Sequence, residues 1–264
     1  MESKKSSLAS STPNISPSAA ASNPYTQGLT QFQGFWIPST RVPTSSIISF
    51  QIYFQALDND IIVASKPKAG TTWLKALVFT IVNRLNAPLN SANPHQLIPF
   101  LRSSFIGKTL IPISLKSHPQ VEDCFEMFCR GEEGYGPFWD HALRYLNMSL
   151  EKPSNVLFLR YEELKEDPVA QTKRLAEFLG FPFSMEEEKI GVVNQIVDFC
   201  SFNNLKDLEV NKTGKMPRSI IPSNKLFFRS GKVGDYVNHL SPDAVKRLSN
   251  ILKEKLSGSG LTFN

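Results

Sequence analysis

Cysteine is scarce in this chain of 264 residues: Cys124, Cys129 and Cys200 are the only three, and no two form a Cys-x-x-Cys pair. So odd and sparse a set excludes a disulfide framework and a structural zinc site, and it fits a reducing compartment, here the cytoplasm. Long apolar runs are lacking too. The most apolar stretch, residues 76–82, falls far short of the roughly 20 residues that span a bilayer. Residues 1–30 are rich in Ser, Ala, Pro and Asn and have no apolar centre, which excludes a secretory signal. They are poor in acid, as transit peptides are, but no arginine precedes Arg41. A disordered tail over residues 1–32 is the expectation. Blocks of like charge are missing as well. The net charge of +5 is spread along the chain, which fits an anionic small molecule as well as a nucleic-acid surface or a plain solvated one; no nucleic-acid or membrane partner is expected.

What is present is material for one sizeable domain or two small ones, 41% hydrophobic and with 19 phenylalanines. Order is expected from residue 33, where "QGFWIPSTRVP" (33–43) reads as a strap on the domain and 46–60 as a helix or irregular lead-in. "IIVAS" (61–65) is a short apolar run closed by a turn signal, as a buried parallel strand is, and residues 71–85 have helical length and an apolar stripe. Residues 155–181 repeat the strand-to-helix pattern, with Gly180 placed to end the second helix. Amphipathic helices are expected over 185–198 and 243–256, and loop over 210–235. Alternating strands and helices predict an α/β domain with a mostly parallel sheet.

The turn between 61–65 and the helix, "KPKAGTT" (66–72), carries the chemistry. A strand–turn–helix presents unpaired N–H groups and the positive end of the helix dipole to an anion. Gly70 lets the backbone approach that anion, Thr71 and Thr72 offer hydroxyls, and Lys68 supplies a point charge. A nucleoside-triphosphate loop would carry lysine directly after the last glycine, where Thr71 stands, so a kinase or other P-loop NTPase is disfavoured. A helix start that binds nothing is the plain alternative.

"KPKAGTTWLKALVF" closely resembles the P-K-[SA]-G-T-T-W signature of the cytosolic sulfotransferases, the plant type in particular. The resemblance continues through "NPHQLIPFL" (93–101), "YGPFWDHALRY" (135–145), "NVLFLRYEELKEDP" (155–168), "RLAEFLGFPF" (174–183), "LEVNKTGK" (208–215), "FFRSGKVGDYVNHLSP" (227–242) and "KLSGSGLTF" (255–263), most of residues 33–264. It implies a P-loop-like three-layer α/β fold and transfer of a sulfuryl group from 3′-phosphoadenosine-5′-phosphosulfate (PAPS) to a hydroxyl of a small acceptor such as a flavonoid or steroid, without a metal. Homodimerisation is compatible with it. Carried over, Lys68, Ala69, Gly70, Thr71 and Thr72 hold the 5′-phosphosulfate, with Lys68 also catalytic and Trp73 against the adenine. Tyr161 contacts the nucleotide, and Arg229, Ser230 and Gly231 reach the 3′-phosphate. Ser230 departs from the usual lysine, which removes one cation.

The larger departure lies between residues 101 and 135. Family members carry there a T-H-[IL]-P block with the base histidine, and a strand ending in C-R-N-P-x-D-x-x-V-S that grips the 3′-phosphate. "LKSHP" (115–119) is a local match that makes His118 the candidate base. The rival alignment sets 112–131 against the helix before "YGPFWDH" and leaves a deletion near 102–111, with one central strand unit lost. The deletion is the favoured alignment, and an inactive relative that at most binds PAPS or its product PAP is the alternative function. His95, His141 and His239 read as structural, with no carboxylate at a triad-like spacing.

Overall fold

The computed structural model describes residues 28–39, 42–86, 120–214 and 223–263. The chain enters through an antiparallel hairpin, β1 (Leu29–Phe32) and β2 (Phe35–Pro38), with Phe32 opposite Phe35. Its two turn residues, Gln33 and Gly34, both have positive φ, the twist that a two-residue hairpin needs. Residues 29–32, expected to belong to the tail, are thus paired into a strand. β2 also pairs onward: Trp36 N–H donates to the Gly136 carbonyl at 2.9 Å, and Tyr135 N–H to the Trp36 carbonyl at 2.7 Å.

Helices make up most of the remainder. α1 (Thr44–Tyr53) leads through an irregular stretch to α2 (Thr71–Asn83). Then follow α3 (Val121–Arg130), α4 (Phe138–Glu151), α5 (Tyr161–Glu166) and α6 (Pro168–Phe178). α7 (Met185–Lys189), α8 (Val192–Phe199), α9 (Phe202–Asp207) and α10 (Glu209–Lys212) are short, and α11 (Pro242–Lys255) closes the chain. The single helix expected over 185–198 is broken in two at Gly191, which sits at φ 78°. Gly180 ends α6 as expected. Its N–H bonds the Glu177 carbonyl while Phe181 N–H bonds that of Ala176, so the last carbonyls of the helix are satisfied.

Two cores organise these helices. In the first, Ala76, Leu77 and Ile81 of α2 meet Leu175 and Ala176 of α6, Ile196 of α8, Cys200, Leu205 of α9 and Phe228. The second joins Trp139 and Ala142 of α4 to Leu256 and Leu261 after α11. Residues 155–160 run between them with period two: Leu157 and Leu159 pack on the first core and Phe158 on the second. That is the facing expected of a strand buried on both sides. Yet neither 155–160 nor 61–65 is paired into a sheet among the described residues, where the hairpin is the only one. A strand exists through its neighbours' hydrogen bonds, and these two segments lack such neighbours there. The expectation of two buried faces at 61–65 is corrected accordingly. Val63 packs on the first core, while Ile61 and Ile62 are 43% and 50% exposed. His95, His118 and the break near 102–111 lie outside the described residues.

One polar contact ties α2 to α7. Arg84, at the end of α2, donates from Nε to Glu187 Oε1 at 2.8 Å and from the guanidinium to the Ile81 and Pro182 carbonyls, both at 2.9 Å. Glu187 also closes a capping box with Ser184. The Arg84 hydrogen bonds hold its carboxyl down at about 2, against burial pushing the other way. A folded-state value below the unfolded one means stabilisation present at neutral pH and lost as pH falls from the ordinary carboxylate range towards 2. Glu187→Gln should thus lower stability by about 1 kcal/mol at pH 7, after allowing for solvent screening. In thermal melts the difference from the parent should shrink steadily below pH 4; a constant difference across that range would refute the assignment.

Burial pushes the Cys200 thiol up to about 12, and its Sγ donates to Thr80 Oγ1 at 3.6 Å. Titration of the native protein with a thiol reagent at pH 8 should label exposed Cys124 and leave Cys200 unmodified until the protein unfolds. Prompt labelling of Cys200 in the folded protein would show that the first core is open.

Candidate functional site

The turn before α2 is built from backbone geometry. Ala69 N–H reaches back to the Lys66 carbonyl at 3.2 Å, Lys68 stands at φ 69° and Gly70 at φ 90°. A left-handed lysine costs about 1–2 kcal/mol, a strain that the surrounding loop has to sustain. Gly70 is required twice over. Its φ favours glycine, and a Cβ there would lie 2.9 Å from Cδ2 of Tyr161. The first turn of α2 has no side-chain cap and no acidic residue, so its amides and dipole stay available to an anion. Thr71 Oγ1 lies 2.5 Å from Ser65 Oγ, which fixes the loop to itself. The Thr72 hydroxyl has no hydrogen-bond partner among the described residues.

Tyr161, the first residue of α5, covers Gly70 and meets the Trp73 ring edge-on at 5.7 Å. Lys165 lies 5.7 Å over Trp73 from the next turn. The indole Nε1 of Trp73 is buried without a hydrogen-bond partner. A donor left so in the free protein loses a hydrogen bond that a ligand acceptor could restore.

The late loop folds onto the early one. Lys68 Nζ donates to the Leu226 carbonyl at 2.9 Å, across 158 residues of sequence. Burial, and then the charge of Arg229, pull the Lys68 amine below its usual range. Lys68 thus lies against the late loop, where the Arg229 charge acts on it. Arg229 is partly compensated by an ion pair with Asp235 and a contact of 3.2 Å with His239 Nε2. Gly231, at φ 67°, allows Phe202 to come so close that a Cβ would lie 2.5 Å from the ring. Ser230 sits between them and adds no charge. Of the expected site residues, Tyr161 thus packs on Gly70 and Trp73, and Lys68 reaches the late loop that carries Arg229, Ser230 and Gly231, while His118 is outside the described residues.

Three features escaped the sequence reading. Asp235 Oδ2 lies 3.5 Å from His239 Nε2, so a carboxylate does adjoin that histidine, at the i, i+4 spacing. Lys66 forms an ion pair with Glu133 and lies 5.8 Å over the Phe138 ring, which seats the loop on the start of α4. His141, one turn further along α4, is half-buried, and both burial and the charge of Lys66 lower its pKa. The first lysine of "KPK", Lys66, and the Phe138/His141 spacing were the available signals.

Comparison with known proteins follows this geometry. The family model for the sulfotransferase domain matches residues 58–114 and 108–260, two matches that meet at 108–114. The chain is similar to Arabidopsis thaliana cytosolic sulfotransferase 15, at 40% identity over 300 residues covering 90% of this chain and 82% of that one. It is also similar to cytosolic sulfotransferase 6 of the same plant, at 41% identity and 88% coverage of both. A solved Arabidopsis thaliana sulphotransferase is similar at a TM-score of 0.62 and 30% identity, covering 89% of each chain. A mouse sulfotransferase complexed with PAP shares the fold at a TM-score of 0.60 and 21% identity, covering 88% of this chain and 95% of that one. The fold is accordingly the P-loop-like α/β fold of these proteins, and the chain belongs to the plant-type cytosolic sulfotransferase family.

Proposed function

We propose that the chain is a cytoplasmic transferase that moves a sulfuryl group from PAPS to a hydroxyl of a small acceptor of flavonoid, steroid or similar kind. The carrying observation is the uncapped, acid-free N-terminus of α2 with Lys68 in the turn just before it, tied through the Leu226 carbonyl to the late loop that carries Arg229. PAPS has the matching shape of charge. The 5′-phosphosulfate would lie on residues 68–72, the adenine against Trp73 and Tyr161, and the 3′-phosphate towards Arg229, Ser230 and Gly231. As the acceptor oxygen bonds to sulfur, the bond from sulfur to the bridging phosphate oxygen breaks. Lys68 and the helix dipole would stabilise the charge developing on that oxygen. No step calls for a metal.

A second reading, that the chain binds PAPS or PAP without turnover, draws on the alignments. The alignment to cytosolic sulfotransferase 15 runs over 300 positions, longer than the whole chain of 264 residues, so that relative carries residues within it for which this chain has no counterpart. The two family-model matches meet at 108–114, beside the expected deletion near 102–111. That is where the base histidine and the 3′-phosphate strand are expected in the family.

Calorimetric titration with PAP tests the shared part of both readings. Saturable binding is expected, with Lys68→Ala weakening it about 10-fold or more, the scale of one charge-assisted hydrogen bond. Unchanged affinity in Lys68→Ala would remove the site. Gly70→Ala should abolish binding altogether, since the added Cβ drives into Tyr161 at a left-handed position. Retention of parental affinity in that variant would contradict the role given to the turn.

A further inference from the structure

We infer that Phe263 is a positioning residue for the turn 66–70, because it joins the two supports on which that turn rests. Its part in binding PAPS rests on the transferase reading above. Lys66, at the start of the turn, pairs with Glu133 and lies 5.8 Å over the ring of Phe138, the first residue of α4. Gly70, at its end, is covered by Tyr161, the first residue of α5, so closely that a Cβ on the glycine would lie 2.9 Å from Cδ2. Between them the turn holds Lys68 at φ 69°, a strained conformation for a lysine. Its shape therefore depends on what the turn rests against.

Phe263 touches both supports. Its ring meets Phe138 edge-on at 5.2 Å, and the Arg160 guanidinium lies 5.5 Å over it. Arg160 also donates from Nη2 to the Thr262 carbonyl, which fixes the backbone beside the ring. It directly precedes Tyr161, and its own carbonyl accepts from Leu164 N–H at 3.1 Å at the start of α5. The residue under Lys66 and the residue that opens the helix of Tyr161 are thus held by one aromatic ring.

The sequence explains how the chain reaches this place. After α11, Gly258 at φ 76° and Gly260 at φ 75° turn the chain, and Leu261 N–H bonds to Ser259 Oγ at 3.1 Å. Leu256 and Leu261 are buried with Trp139 and Ala142 of α4 in the second core, which anchors the segment. Phe263 is only partly buried at the edge of that core. Losing its ring contacts should therefore loosen the turn locally and leave the global fold standing.

Amide hydrogen exchange on the full chain, resolved by NMR, tests this without a ligand. The Ala69 and Leu74 amides bond to the Lys66 and Gly70 carbonyls, and in Phe263→Ala their exchange should quicken about fivefold or more, the scale of one lost ring contact. Exchange at Cys200 and Leu205, in the first core, should stay within about twofold of the parent. Phe263→Tyr, which keeps the ring, should restore the parental rates. PAP affinity measured by calorimetry should fall about fivefold in Phe263→Ala and return in Phe263→Tyr. Should Phe263→Ala fail to fold, Phe263→Leu takes its place, keeping most of the apolar volume without the ring. Unchanged exchange at the turn, or quickening spread evenly over the turn and the first core, overturns the inference. So does parental PAP affinity in the variant without the ring. A folded parent that binds no PAP overturns the phosphosulfate reading instead, and the exchange pattern still decides the role of Phe263.

Discussion

The site depends on holding two positive side chains together at a helix end that has no anion of its own. Lys68 and Arg229 come from loops at opposite ends of the sequence, and repulsion between them works against folding. Several local devices offset it. The Leu226 carbonyl accepts from Lys68, Asp235 pairs with Arg229, and the Phe202–Phe228 contact at 5.7 Å anchors the late loop. Gly70 and Gly231 let Tyr161 and Phe202 come close enough to make these approaches geometrically feasible. An anion bound there would relieve that repulsion.

Around that centre the sheet is the weak element. Residues 61–65 lead straight into the phosphate loop, yet Ile61 and Ile62 are exposed and no second strand adjoins them among the described residues. Residues 155–160 keep strand-like facing between two cores. Among the described residues neither segment has a paired neighbour. The anchoring of the loop then falls more heavily on helices, through α2 in the first core and through Lys66 on the start of α4.

Much of this was legible in the sequence. The left-handed Gly70, the end of α6 at Gly180 and the span of α2 follow from residue types whose local preferences agree with the tertiary fold. The family blocks pointed to Tyr161, which packs on Gly70, and to Arg229, whose charge acts on Lys68. What escaped was long-range or cooperative. The hairpin starting at Leu29 needs β2 as partner, a pairing no window over residues 29–32 reveals. The break at Gly191 yields to tertiary packing a helix that periodicity draws as continuous. The contacts Lys66–Glu133 and Asp235–His239 with Arg229 depend on how loops meet, which spacing alone does not encode. The exposure of Ile61 and Ile62 was hidden for the opposite reason, since the apolar run is that of a buried strand whatever its neighbours.

The central claim, that an anion on the loop relieves the crowded charge of Lys68, is tested most directly by proton linkage. Calorimetry of PAP binding at pH 9, run in two buffers of different ionisation enthalpy, measures the protons taken up on binding; PAP itself is fully ionised there. Because burial and Arg229 depress the free Lys68 amine, binding is predicted to draw protons onto the protein, and Lys68→Ala is predicted to lose that uptake. PAP binding without proton uptake, or uptake that persists in Lys68→Ala, would contradict the account.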